Sequence, residues 1–171
     1  MDIFTTRFGV LSVQPQDEIV FEQGLIGLAD CKRWVVLTDS NNGALGWLQN
    51  LEQGHIAVGV VSPRRFVPDY QLRVDRADLR TLGLATVRDA EVVVIASRQP
   101  NTPLDSRPRL REGETLRGND GKELAEGLTL NLRAPLVINV EKRLGCQVIA
   151  KDEHPVQYPL DLQNLKLRRI A

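Results

Sequence analysis

The sequence predicts an all-β fold: a small antiparallel β-barrel, closed or partly open, with one short helix and a long polar insertion. Three observations predict it. Short apolar runs recur along most of the chain and are separated by turn residues, the pattern of many short strands. Only one stretch carries signals for both ends of a helix. The length of 171 residues suits a single domain. A chain of this size buries about 70% of the surface its unfolded form exposes, enough for a core without metal or disulfide. Closing the strands into a barrel also removes sticky edges.

Each element follows from local residues. Ile3–Thr6 and Val10–Val13 flank Arg7-Phe8-Gly9, a hairpin whose turn Gly9 supplies. Trp34–Thr38 is a run of strand formers that ends at the turn Asp39-Ser40-Asn41-Asn42-Gly43. Leu45–Leu51 and His55–Val61 follow, the second closed by Pro63. Tyr70, Leu72 and Val74 alternate with Gln71 and Arg73, the period of a half-buried strand. Asp75 is placed to cap a helix, with Leu79 and Leu82 three apart and Gly83 as its stop. So short a helix needs packing to hold it. Glu91–Ala96, Leu128–Leu132, Leu136–Val140 and Gln147–Ala150 bring the set to about nine strands. Residues 1–160 form the barrel domain. Within it, residues 98–126 are rich in Pro, Gly and charge and read as a mobile loop or polar hairpin. Residues 161–171 are a tail, an amphipathic helix or a loose end.

Composition excludes several function classes. Lys+Arg and Asp+Glu are both 22, so the net charge is zero. That argues against direct nucleic-acid binding, which needs excess cation. Two arginines beside Phe66 are too few to change this. The N-terminus lacks an apolar export segment, and no run approaches the roughly 18 apolar residues of a membrane helix. The expected setting is the cytoplasm, with Cys31 and Cys146 reduced. His55 and His154 have no Cys or His at ligand spacing, and there is no nucleophile elbow, so no metal, cofactor or catalytic residue is assigned. Asp17 and Glu18 are adjacent and read as solvated carboxylates. Gly24-Leu25-Ile26-Gly27 lacks the lysine and serine of a phosphate loop and reads as a tight backbone bend.

The stretch that points to binding is Phe66-Val67-Pro68-Asp69-Tyr70. It holds two of the six Phe and Tyr residues within five positions, flanked by Pro63 and Pro68. An aromatic held on a stiff rim can anchor a partner, and the same rings can close a barrel end. Alternation puts Trp47 on one face with Leu45 and Gln49, core or interface. Asn131 and Asn139 bracket an apolar run, where asparagine satisfies backbone groups at strand ends.

Thr6-Arg7-Phe8-Gly9, Phe21-Glu22-Gln23-Gly24-Leu25-Ile26-Gly27-Leu28, Trp47-Leu48-Gln49, Phe66-Val67-Pro68-Asp69-Tyr70, Asn131-Leu132-Arg133-Ala134-Pro135-Leu136-Val137-Ile138-Asn139, Leu144-Gly145-Cys146-Gln147-Val148 and Tyr158-Pro159-Leu160 resemble, in order and spacing, the motifs of FliW flagellar assembly factors. The resemblance spans roughly residues 3 to 160. It implies a small β-barrel that binds flagellin in the cytoplasm as a chaperone and antagonises the translational repressor CsrA. Newly made flagellin then captures the protein and frees the repressor. The implied protein is a monomer and no enzyme. On this reading Phe66, Asp69 and Tyr70 contact a partner, with Trp47, Asn139 and Arg143 as further candidates. The long insertion and the tail depart from the family pattern. Two other classes remain open from sequence: a flavin-dependent split-barrel oxidoreductase, which would be yellow, and an RNA- or ribosome-associated barrel, whose binding would fall steeply with salt.

Overall fold

The computed structural model describes residues 1–38, 45–98 and 127–160. The expected turn at 39–43, residues 99–126 of the insertion and the 161–171 tail lie outside the described residues. Eleven strands run through the rest: β1 (Asp2–Thr5), β2 (Gly9–Ser12), β3 (Glu18–Phe21), β4 (Arg33–Thr38), β5 (Leu45–Asn50), β6 (Ala57–Val61), β7 (Glu91–Arg98), β8 (Leu128–Leu130), β9 (Leu136–Asn139), β10 (Leu144–Gln147) and β11 (Tyr158–Pro159). One α-helix, α1, spans Arg76–Thr81.

Strands β7, β6, β5, β4, β3, β10 and β9 hydrogen-bond in that order, and β9 pairs back onto β7 to close a seven-stranded ring. The expected barrel is therefore closed. Its seams are antiparallel except one: β3 and β10 run parallel, with Leu144 opposite Val20 and Gly145 opposite Phe21. Parallel neighbours need a long connection, and here the chain travels round most of the ring between them. One edge of β7 is shared. Its residues Glu91–Val93 face β9 and its residues Ala96–Arg98 face β8. Asn131–Pro135 bulge out between those two partners, and Asn131 holds the bulge by accepting from the Ala134 N–H at 3.1 Å.

Period-two alternation fills the interior. Ile19 and Phe21, Trp34, Leu48, Val58 and Val60, Val93 and Ile95, and Leu136 and Ile138 pack together inside the ring. Gly145 faces Phe21 there; any Cβ at this position would overlap the Phe21 ring, so the strand carries glycine. Strand β3 has no counterpart among the strands expected from sequence. Asp17 ends a 3₁₀ turn, and Glu18 is no solvated carboxylate. Its two oxygens accept from Arg33 Nε and Nη2 at 2.6 and 2.7 Å, and that bond holds the Glu18 pKa below its usual value.

Three flaps cover the outer wall. The β1–β2 hairpin, closed at Gly9 as expected, packs Ile3, Leu11 and Val13 over Val35, Leu37 and Leu51. The segment from Pro63 to Leu72 lies with Tyr158 and Leu160 over Val61, Val94 and Leu130. Then α1 and its flanks press Val74, Leu82 and Val87 onto Val137, Cys146 and Val148. Tyr70, Leu72 and Val74 form no strand: their alternation comes from packing a flap against the wall, without a ladder. Strand β10 covers Leu144–Gln147 in place of the expected Gln147–Ala150, and β6 begins at Ala57 after His55. The helix forms where expected and Gly83 ends it, donating to the Arg80 carbonyl. Asp75 stands at its N-cap, but the carboxylate pairs with Lys151 and makes no cap bond.

Candidate functional site

The corner after β6 is built by backbone hydrogen bonds. Pro63 opens a 3₁₀ turn, and its carbonyl accepts from the N–H groups of Phe66 at 3.1 Å and Val67 at 2.8 Å. The Val67 carbonyl accepts from Tyr70 N at 3.0 Å. The result is a rigid corner with Pro68 and Asp69 exposed and Phe66 half-buried against Val61 and its neighbours.

Tyr70 does not present its ring. It is 3% exposed, and its hydroxyl donates to the Leu132 carbonyl at 2.8 Å. Burial, with the Asp152 charge nearby, pushes its phenol up to about 12. His154 lies over the ring at 4.6 Å and donates from Nε2 to the Gln71 carbonyl at 2.7 Å, which fixes the proton on that nitrogen. Tyr70 packs on the outer wall of the barrel with Val61, Val94 and Leu130, rather than closing a barrel end.

The other sequence candidates fall in separate places. Trp47 stands on the outer face of β5, half-buried under the hairpin tip, with the Arg7 guanidinium 3.6 Å above its ring and Phe8 edge-on at 6.1 Å. Asn139 is buried. Its Nδ2 donates to the Leu82 carbonyl at 2.9 Å, and its Oδ1 accepts from Glu141 and Lys142 N–H groups at 3.1 Å each. Arg143 closes the same β9–β10 turn with a φ of 55°, a conformation that costs a non-glycine residue about 1 kcal/mol or more. The structure brings Phe66, Asp69 and Tyr70 together and leaves Trp47 and the Asn139–Arg143 pair apart from them.

Two clefts flank the α1 flap. One, of about 190 Å³, runs beside the corner and is lined by Tyr70, Leu72, Val92, Arg64, Arg88 and Glu91. Arg64 Nε donates to the Tyr70 carbonyl at 3.4 Å. The other, of about 240 Å³, opens between the Gly24–Gly27 turn, β10 and α1. Leu25 and Leu28 exchange backbone hydrogen bonds at 3.3 and 2.8 Å, and Gly24 and Gly27 hold φ values of 66° and 82°. Only glycine takes such angles without strain. The expected tight bend is thus present, and it lifts Ile26 to 66% exposure. Sequence reading did not single out Ile26 or Arg7. The signal for Ile26 was an apolar residue at the tip of a Gly-x-x-Gly turn.

Reactive groups are not gathered in either cleft. Cys31 and Cys146 are both free, and burial foremost raises both thiols above their usual pKa, which suppresses the nucleophilic thiolate. Among the described residues no group of three His, Cys, Asp or Glu side chains stands at metal-holding distance. No described helix is long and apolar enough to cross a membrane.

Fold and surface define the class: a small closed β-barrel wrapped by flaps. A family model described as FliW protein matches residues 2–106 and 121–160, and the chain belongs to the FliW family. It is 30% identical over 161 residues to a flagellar assembly factor FliW of Syntrophus aciditrophicus, covering 94% of this chain and 87% of that one. A flagellar assembly factor FliW of Bdellovibrio bacteriovorus is 31% identical over 154 residues, covering 90% and 75%. A crystal structure of the flagellar assembly factor FliW superposes with a TM-score of 0.73 at 25% identity, covering 95% of this chain and 99% of that one.

Proposed function

We propose that this chain is a cytoplasmic flagellar assembly factor. It binds flagellin as a chaperone and antagonises the translational repressor CsrA through protein contact, without catalysis. The observation that carries this reading is the family match along nearly the whole chain. The corner supports it physically. Phe66 and Asp69 offer a half-exposed ring and an open carboxylate on a backbone already fixed, so little conformational freedom is lost on binding. Tyr70 and Asn139 act by positioning: one anchors the corner from inside, the other ties the β9–β10 turn to α1. Trp47 and Arg143 are outlying contacts.

Flagellin captures the factor and releases the repressor, so the two partners bind with negative coupling, and linkage makes that coupling reciprocal. Calorimetry with the cognate flagellin tests the reading. Binding is expected at micromolar concentrations or below, and Phe66→Ala is expected to cost about 2 kcal/mol. An absence of binding defeats the reading. Full-strength binding by Phe66→Ala defeats only the assignment of the corner.

A further inference from the structure

The Asn131–Pro135 bulge leaves the ring between β8 and β9, and its backbone bonds go to several elements at once. Asn131 N donates to the Ile95 carbonyl at 2.9 Å, and Leu132 N donates to the Pro155 carbonyl at 3.1 Å. The Arg133 and Pro135 carbonyls accept from Ala150 N at 2.8 Å and from Val148 N at 3.0 Å. The carbonyls of Leu132 and Ala134 are filled by side chains instead. The Tyr70 hydroxyl donates to Leu132 at 2.8 Å, and Gln147 Nε2 donates to Ala134 at 3.1 Å. Both bulge residues are buried, Leu132 at 2% and Ala134 at 5% exposure, so solvent is a poor substitute for either donor.

Each of the two donors also holds a piece of surface. Tyr70 is the inner end of the corner, and its N–H donates to Val67, whose own N–H donates to Pro63. Gln147 holds the Gly24–Gly27 turn, because its Oε1 accepts from the N–H of the exposed Ile26 at 2.7 Å. Corner and turn are therefore fixed to carbonyls two residues apart. Peptide planes are rigid, so only the φ and ψ of Arg133 and Ala134 separate those carbonyls. Pro135 narrows the range open to Ala134, and Asn131 Oδ1 holds the Ala134 N–H at 3.1 Å. A stretch this short and this stiff cannot turn one carbonyl and leave the other in place.

We propose that the bulge couples the Gly24–Gly27 turn to the Phe66–Tyr70 corner. Each side-chain bond holds the bulge in the conformation that the other bond needs, so loosening either surface loosens the other. The two-state element is the bulge itself, with both donors seated or both released. The coupling is reciprocal by linkage. It is a property of the free protein and goes beyond the reading above, whichever partners the chain binds.

The test follows amide hydrogen exchange residue by residue by NMR in the full chain and in three variants. Tyr70→Phe removes the donor to Leu132 and is read at the Ile26 N–H. Gln147→Glu removes the donor to Ala134, keeps an oxygen for Ile26, and is read at the Phe66 and Tyr70 N–H groups. Gln147 is only half-buried, so this variant is expected to fold. Val35→Ala opens the core under the β1–β2 hairpin and serves as a control for general loosening. Exchange is expected to rise about twofold or more at Ile26 in Tyr70→Phe and at Phe66 and Tyr70 in Gln147→Glu, as for residues of one hydrogen-bond network. Val35→Ala is expected to leave all three amides within about twofold of the wild type. A rise of less than about twofold at the distant surface in either donor variant overturns the coupling. An equal rise in Val35→Ala overturns it as well, since the turn and the corner would then report only overall stability.

Discussion

Tyr70 and Leu132 are 62 residues apart in sequence, yet one hydrogen bond between them seats the corner on the barrel. The phenol is pushed from 10.0 up to about 12 by burial first and by Asp152 second. The neutral form is the one the fold prefers. Stability from this group is therefore complete below pH 10.0 and is lost as pH rises through about 12, because the unfolded phenol ionises first. Tyr70→Phe should flatten that alkaline loss in denaturant melts. At neutral pH it should lower stability by about 1–3 kcal/mol, since the Leu132 carbonyl loses its buried donor. This residue also marks where sequence reading stopped. An aromatic just after a proline turn looks alike whether it faces a partner or the core. What decides between them is a carbonyl on a distant bulge, which no local pattern announces. Asn139 is the converse: a strand-end asparagine reads as a backbone cap, and it serves as one here.

At the scale of elements, α1 has six residues and cannot persist alone. Leu82, 1% exposed, fastens it to Val137 and Val148. Leu82→Ala is expected to cost about 2–5 kcal/mol and to speed Cys146 alkylation as the flap loosens, which thermal melts and mass spectrometry would measure. The helix was readable because its stop glycine and its apolar spacing are both local. The flap before it was misread for an equally local reason. Tyr70, Leu72 and Val74 have a strand's alternation, but pairing needs a neighbour with free backbone groups, and the adjacent wall has spent its own on the ring. The parallel β3–β10 seam was hidden too, since nothing in either segment records the other.

Across the whole molecule, closure ranks the parts by how firmly they are held. Strands β7 and β9 join the ring and carry interior residues on one face and flap contacts on the other. The β1–β2 hairpin is a two-stranded sheet laid on the outside. Amide hydrogen exchange should accordingly be slowest in β7 and β9 and distinctly faster in β1 and β2. Equal protection in both would contradict this architecture. The class of fold was legible because turn residues punctuate short apolar runs all along the chain. The candidate site was legible only as a set of residue types, because surfaces are assembled by flaps whose docking depends on the finished ring.

The forked edge of β7 has one more consequence. Arg98 and Leu128 are register partners at the far tip of the fork, off the closed ring. The chain leaves and re-enters there at two points already held side by side. Each doubling of the intervening length adds only about 0.6 kcal/mol of closure entropy. The position is thus a natural splice point: a fluorescent or affinity module inserted between these two strands would be carried as cargo, with the ring and both clefts left as they are.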